Sequence, residues 1–179
     1  GLEPLGAEVE SRASATSRSA VSRKFVRATE SALAELLVGL RERGLDVSRP
    51  LLVVIDGSKA LRRAVLDVFE QPVIQRCQLH KVRNVKDKLP ERLRRTVERR
   101  MRQAYRADSA LDAEAQLLAL ARELERIHPG AAASLREGLE ETLTVIRLDV
   151  PPTLARTLRS TNQIESMLSI CREHAKNVK

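Results

Sequence analysis

Leu51-Leu52-Val53-Val54-Ile55-Asp56-Gly57-Ser58 decides the fold class. Five consecutive apolar residues, three of them β-branched, read as a short strand covered on both faces. That is the pattern of a parallel α/β sheet rather than a half-exposed antiparallel one. Asp56-Gly57-Ser58 ends the run in a turn. Lys59 to Phe69 then places Leu61, Ala64, Val65 and Val68 at helical spacing, Pro72 breaks that helix, and Val73 to Leu79 reads as a second strand. Strand, turn, helix and strand in so short a stretch imply two parallel strands joined by a crossover.

On the N-terminal side, residues 23–44 carry Phe25, Ala28, Leu33, Leu36, Leu37 and Leu40 at spacings of three and four, which predicts a helix with Gly44 as its stop. Residues 1–22 are polar and rich in Ser, Ala and Arg, and read as a tail without packed structure. On the C-terminal side the periodicity is helical throughout 81–147. One helix is expected from Pro90 to Tyr105. A second runs from Ala110 to Ile127 with Leu111, Ala115, Leu118, Ala121, Leu124 and Ile127 on its apolar face, and a third from Ala131 to about Leu143. Asp149 to Pro152 is a break, and a last helix starts near Asn162. The expected class is therefore α/β, mostly α.

The chain has 179 residues and is 42% hydrophobic, enough for a core and too apolar for wholesale disorder. With no Trp, one Tyr and two Phe, base-stacking platforms for single strands are excluded. Two cysteines rule out a disulfide scaffold and fit a reducing compartment. No apolar run is long enough to span a bilayer and no signal segment is visible, so a cytoplasmic protein without membrane contact is expected.

The formal net charge is +8, and it is not spread evenly. Residues 81–106 hold 11 basic and 3 acidic side chains, whereas residues 107–150 hold 4 and 9. The cations are Lys81, Arg83, Lys86, Lys88, Arg92, Arg94, Arg95, Arg99, Arg100, Arg102 and Arg106. Such a cluster reads either as a solvated helix face or as a surface for phosphates, whose neutralisation releases counterions.

A few residues have chemistry to offer. Asp56 stands at the carboxyl end of the apolar strand, where open α/β sheets bind ligands. It is either a Mg²⁺ ligand or simply the first residue of an Asx turn. Glu165 follows Asn162 by three residues, the spacing of a capping box, and is otherwise a second carboxylate for the same metal. Cys77-x-x-His80 and Cys171-x-x-His174 together have the ligand types of a tetrahedral zinc site, or are two thiols and two hydrogen-bonded imidazoles.

Three segments, taken in order, resemble the bacterial mutator-type insertion-sequence transposases. They are Val54-Ile-Asp-Gly-Ser-Lys-Ala-Leu-Arg62, Gln75-Arg-Cys-Gln-Leu-His-Lys-Val-Arg-Asn84 and Ser160-Thr-Asn-Gln-Ile-Glu-Ser166. His128-Pro-Gly-Ala-Ala-Ala-Ser-Leu-Arg-Glu-Gly-Leu-Glu140 resembles the helical insertion of the long-form members. The resemblance implies a ribonuclease-H-like core with an Asp-Asp-Glu triad, in which Asp56 matches the second Asp and Glu165 the Glu. Cys77 and His80 match the Cys-x-x-His motif that accompanies the triad, and Asn162 belongs to the third segment. It implies two divalent ions, Mg²⁺ or Mn²⁺, and cleavage and strand transfer at double-stranded transposon ends by a homo-oligomer. The basic segment, from Lys81 to Arg102 and on to Arg106, would hold that DNA, and the protein would be cytoplasmic and nucleoid-associated.

The chain departs from that pattern before Asp56. The first triad Asp and three antiparallel strands are expected upstream, and residues 23–45 read as helix instead. The upstream carboxylates, Glu30, Glu35, Glu42 and Asp46, do not fall on a strand pattern. The expected organisation is a remnant tail (1–22), a partial ribonuclease-H-like core (23–83), an all-helical insertion (84–150) and a C-terminal core helix carrying Glu165 (151–179). On this reading the chain is an internally deleted, truncated transposase. The alternatives are a catalytically dead fragment that binds DNA or intact transposase, and a helical zinc-binding regulator.

Overall fold

The computed structural model describes residues 18–176, with side chains from Thr29 onward. Twelve elements follow one another. They are α1 (Arg18–Glu42), β1 (Leu51–Ile55), α2 (Lys59–Val68), β2 (Pro72–Arg76), α3 (Gln78–Lys86), α4 (Glu91–Ala104) and α5 (Ala110–Glu125). The last five are α6 (Pro129–Arg136), α7 (Leu139–Thr142), α8 (Thr144–Arg147), α9 (Pro152–Leu158) and α10 (Asn162–Ala175). The protein is mostly helical with one small sheet. β1 and β2 pair in parallel, from Leu51 opposite Pro72 to Ile55 opposite Arg76. Among the described residues no helix is long and apolar enough to cross a membrane.

Two apolar clusters hold the chain. In the first, Leu37 of α1, Ile55, Ala64, Val65, Phe69 and Ile74 pack α1 and α2 against the sheet. Ser58 starts α2 by accepting the Leu61 N–H on its side chain at 3.2 Å. In the second, Val82, Val85, Val97, Met101, Leu117, Leu120, Leu135 and Leu143 tie α3 to α7 into a helical layer. Fully burying a side chain of this size contributes about 1.5–3 kcal/mol.

The two clusters meet at β2, and the junction is polar. Gln75 is fully buried. Its Nε2 donates to Arg76 O (2.6 Å) and Thr142 O (3.0 Å), and its Oε1 accepts the Val145 N–H at 2.8 Å. Gln78 adds a bond to Thr142 O at 2.8 Å, and the Thr144 hydroxyl donates to Ile74 O at 2.7 Å. Beside them Arg62 and Arg76 each donate to Glu141 at 2.6 Å. Gly138, at φ 61°, turns the chain there, and a Cβ on it would stand 2.6 Å from the Arg76 guanidinium. Only glycine meets both conditions without strain.

Several sequence expectations need correction. β2 stops at Arg76, not Leu79, because Cys77 leads into α3 and Gln78, Lys81, Val82 and Val85 are buried at helical spacing. α1 begins at Arg18, inside the stretch read as a tail, while residues 1–17 lie outside the described residues, as do the side chains of Phe25 and Ala28. The buried face of α5 is Ala113, Leu117, Leu120, Ala121 and Leu124, and Leu111 (76%) and Ile127 (73%) face solvent. Small Ala113 and Ala121 mark the true face because neighbouring helices approach closest there. The helix expected over 131–143 starts at Pro129 and breaks at Gly138 into two short pieces, and a third, Thr144–Arg147, follows. Pro152, taken as part of a break, instead sits in the first turn of α9, where proline is well tolerated.

Two outcomes are expected. Gln75→Leu leaves the Val145 N–H and the Arg76 carbonyl without their partner in a dry junction. The loss should be about 2–4 kcal/mol in urea unfolding. The second concerns Lys81, which is buried and donates from Nζ to Ser134 O (2.7 Å) and to Glu137 O. Burial depresses its pKa from 10.5 to about 8, only partly offset by Glu137 and Glu141, with Arg76 adding to the depression. The unfolded chain then binds more protons than the folded one above pH 8, so stability rises with pH. Tyr105, pushed by burial from 10.0 to about 12, reverses the trend above pH 10. Unfolding midpoints should therefore climb between about pH 8 and 10, and Lys81→Met should flatten that climb.

Candidate functional site

Asp56 is exposed at the carboxyl end of β1. Its Oδ1 accepts the Ser58 N–H at 2.9 Å, so the Asx turn expected as the plain reading does form, and Oδ2 is left for a ligand. Gly57, at φ 105°, lets the chain leave the strand there. Cys77 closes the neighbouring strand. Its N–H donates to Ile55 O at 2.7 Å, the carbonyl just before Asp56, and its buried Sγ accepts the Thr161 N–H at 3.5 Å. Thr161 caps α10, and its hydroxyl donates to Glu165 Oε1. His80, one turn into α3, places Nδ1 3.4 Å from Thr161 Oγ1 and 3.7 Å from Glu165 Oε1.

Cys77 thus contacts the approaches to both carboxylates. One bond fixes the strand end carrying Asp56, and the other fixes the start of the helix carrying Glu165. Cys77, His80, Thr161 and Glu165 are linked by these contacts, and the backbone bond from Cys77 to Ile55 ties the group to the strand end that precedes Asp56. Asn162 is exposed in the first turn of α10. The cap is Thr161, one residue before the Asn162 expected in that role.

Cys171 and His174 do not join this cluster by any hydrogen bond. Cys171 is exposed on α10, and His174 Nδ1 lies 2.9 Å from Ile170 O in its own helix. Among the described residues no group of three or more His, Cys, Asp or Glu side chains is placed to hold a metal ion. Glu30, Glu35 and Glu42 lie in α1 and Asp46 in a turn, where Ser48 holds its carboxyl below the usual range. None of the four is on a strand.

The basic segment divides into four kinds of cation. Lys81 must be removed from the expected DNA contacts, because its ammonium is spent inside on two carbonyls of the helical layer. Lys86 and Arg102 share Glu98, and Arg100 forms a two-pronged pair with Glu123 at 2.5 and 2.7 Å. Glu98 and Glu123 are correspondingly held below the usual carboxylate range by these partners. Arg94 is turned back onto Leu89 O and Glu91. Arg83, Lys88, Arg92, Arg95, Arg99 and Arg106 make no ion pair with a described side chain, and all six are exposed.

Arg95, Arg99, Arg102 and Arg106 follow steps of four, three and four, so they share one face at and just past α4. They line an open groove of about 820 Å³ with Thr96, Glu98, Gln103, Ala107 and Gln116. The opposite face of α4 (Val97, Met101, Ala104) is buried, which locks the arginines outward. Nothing in the sequence separates the unpaired Arg95, Arg99 and Arg106 from Arg100, because its partner Glu123 is brought against it from α5 only by the fold.

A family model described as transposase, Mutator family, matches residues 25–179. The transposase for insertion sequence element IST2 of Acidithiobacillus ferrooxidans is 28% identical over 154 residues, covering 86% of this chain and 51% of that protein. The transposases for ISRM5 and ISRM3 of Rhizobium meliloti (strain 1021) are 32% and 33% identical over 141 and 123 residues. They cover 79% and 66% of this chain, and 34% and 30% of their own lengths. The chain thus spans about half or less of the relatives it matches. Its own length is nonetheless matched almost throughout, from within α1 past α10, through Asp56, the arginine groove and Glu165: the chain belongs to the Mutator family of transposases.

Proposed function

We propose that the chain binds double-stranded DNA in transposition, and that Asp56 and Glu165 are the two carboxylates it contributes to a divalent-metal site of ribonuclease-H-like type. The observation that supports the reading is the double contact of Cys77, to the carbonyl just before Asp56 and to the N–H of Thr161 at the start of the Glu165 helix, in a chain matched by the family over residues 25–179. The donor set fits the ion. Mg²⁺ takes hard oxygen ligands and is commonly held by one or two carboxylates together with substrate phosphates. Asp56 and Glu165 each have an oxygen outside the hydrogen bonds described. Asp56 and Glu165 would hold such an ion, which would supply Lewis-acid activation of an attacking hydroxyl and charge stabilisation of the leaving oxygen.

The residues of this chain supply the rest. Asp56 is fixed by its turn to Ser58, and Glu165 by Thr161 and His80. The α4 arginines hold the DNA backbone by charge, without reading bases. A third carboxylate on a strand is absent among the described residues. Two carboxylates position a reacting group less well than three, and positioning with charge stabilisation supplies most of the rate in such chemistry. The reading is therefore of a DNA-binding transposase chain whose own cleavage is weak, and whose mode of action includes a homo-oligomer or an intact transposase as partner.

Two measurements check this. With supercoiled plasmid bearing a transposon end and Mg²⁺ or Mn²⁺, the chain should give a salt-sensitive gel shift and little nicking. Strong nicking that disappears in Asp56→Ala would show the carboxylate set to be complete and the weak-cleavage reading wrong. In the salt dependence of binding, replacing Arg95, Arg99 and Arg106 together by Gln should flatten the log–log slope by about 2–3, near 0.9 for each phosphate contact. Arg100→Gln, which removes a cation already paired with Glu123, should change it by well under one.

A further inference from the structure

Arg159 carries a positive charge with no counter-ion among the described residues. It lies in the link between α9 and α10, and its carbonyl accepts the Gln78 N–H at 2.9 Å. Its side chain is half-buried and makes no ion pair with a described residue. Its Nε is shut off from solvent and has no hydrogen-bond partner among the described residues. Burial lowers its pKa. A guanidinium in this condition is destabilising unless an anion completes it.

The space beside it suits one kind of anion. Arg159, Arg102, Arg106, Gln78, Tyr105, Leu79 and Val82 line a cavity of about 110 Å³. That is roughly three to four waters' share of volume, room for a phosphate group but not for a nucleoside. Three arginines line it and no carboxylate residue does. Planar guanidinium forks match phosphate oxygens in pairs, which an ammonium does not do. Arg102 is shared with Glu98, and Arg106 is exposed without a described ion pair.

The location adds direction. Arg102 and Arg106 also line the large α4 groove, so the small cavity lies at the end of the arginine track. On its other side Gln78 follows Cys77, and Arg159 precedes Thr161 by two residues. The cavity therefore lies between the arginine groove and the residues that seat Asp56 and Glu165.

We propose that this cavity is a phosphate subsite, and that its phosphate comes from the backbone of DNA lying along the α4 groove on the way to the two carboxylates. The source of the phosphate rests on the DNA-binding reading above, whereas the subsite itself rests on Arg159, Arg106 and the cavity.

The protein offers its own reporter, since Tyr105 lines the cavity and is the sole Tyr in a chain without Trp. Inorganic phosphate should change Tyr105 fluorescence saturably and raise the melting temperature of the wild-type chain. Arg159→Gln should abolish both responses while melting no lower than wild type in phosphate-free buffer, because an unpaired half-buried cation is removed. Arg106→Gln, at an exposed position, should weaken the response several-fold without touching the fold. Duplex DNA should bind Arg159→Gln about tenfold more weakly. Responses to phosphate that survive in both variants overturn the subsite. A lost phosphate response with unchanged DNA affinity overturns its assignment to the DNA backbone and leaves a site for free phosphate. Failure of the wild-type chain to shift DNA at all, with the phosphate response intact, sinks the DNA-binding reading and not the subsite.

Discussion

The amide of Gln75 is the interaction on which the rest of the molecule depends. A two-stranded sheet is marginal in water by itself and needs further strands or a helix against its faces. Here α1 and α2 cover it through Leu37, Val65 and Phe69. Where β2 runs into the helical layer, it reaches α7 and α8 with its polar groups satisfied by Gln75, Gln78, Thr142 and Thr144. A buried side-chain amide with both ends engaged fixes register as well as distance, because any slip leaves donors unmade in a dry place. The arginine groove and the carboxylate end hold their relative positions through this junction.

Charge is partitioned by the same packing. The acidic stretch 107–150 supplies partners across the molecule: Glu123 to Arg100, Glu125 to Arg136, Glu137 to Lys59, and Glu141 to Arg62 and Arg76. The exposed pairs among these contribute little to stability. Their consequence is selective: Arg100 is spent on Glu123 while Arg95, Arg99 and Arg106 are not. A block of eleven cations thus resolves into one internal clamp, several tied pairs and a short unpaired track.

Much of this was legible in the sequence for a physical reason. Leu51 to Ile55 has no polar side chain to place in solvent, so a strand is its natural state, and the helix from Lys59 and the parallel pairing follow from it, although of the five only Ile55 is fully buried and the cover on both faces is incomplete. Asp56 at the strand end and the position of the last helix follow from the same pattern. What failed was whatever depends on tertiary partners. Nothing local separates Gln75, a buried junction residue, from a polar residue on an exposed strand. Nothing local says that Lys81 turns inward while Arg83, two residues on, turns out. On α5 the apolar residues run round much of the helix, and only its neighbours decide that Ala113, Leu117 and Leu120 face inward while Leu111 and Ala115 do not. Arg159 and Tyr105 are 54 positions apart in the chain, and only the fold makes them neighbours.

The two halves of the candidate site are not equally constrained. Beneath the groove, Val97, Met101 and Ala104 are buried, and the helix that displays the arginines has little freedom to move. α10 is different: none of its residues is buried, and Ile164, Met167, Leu168 and Ile170 are each about half exposed. Its place is set at its first turn, by the Thr161 N–H on Cys77 and by the Thr161 hydroxyl and His80 around Glu165. Elements with few buried contacts open at low free-energy cost, so Glu165 is held by a junction rather than by a core. Phosphate contacts need charge and a rigid face, both of which α4 has. Metal-assisted chemistry needs carboxylates fixed to within about half an ångström. On the reading proposed above, the arginine face is therefore the more firmly fixed of the two parts, and the carboxylate of α10 the less.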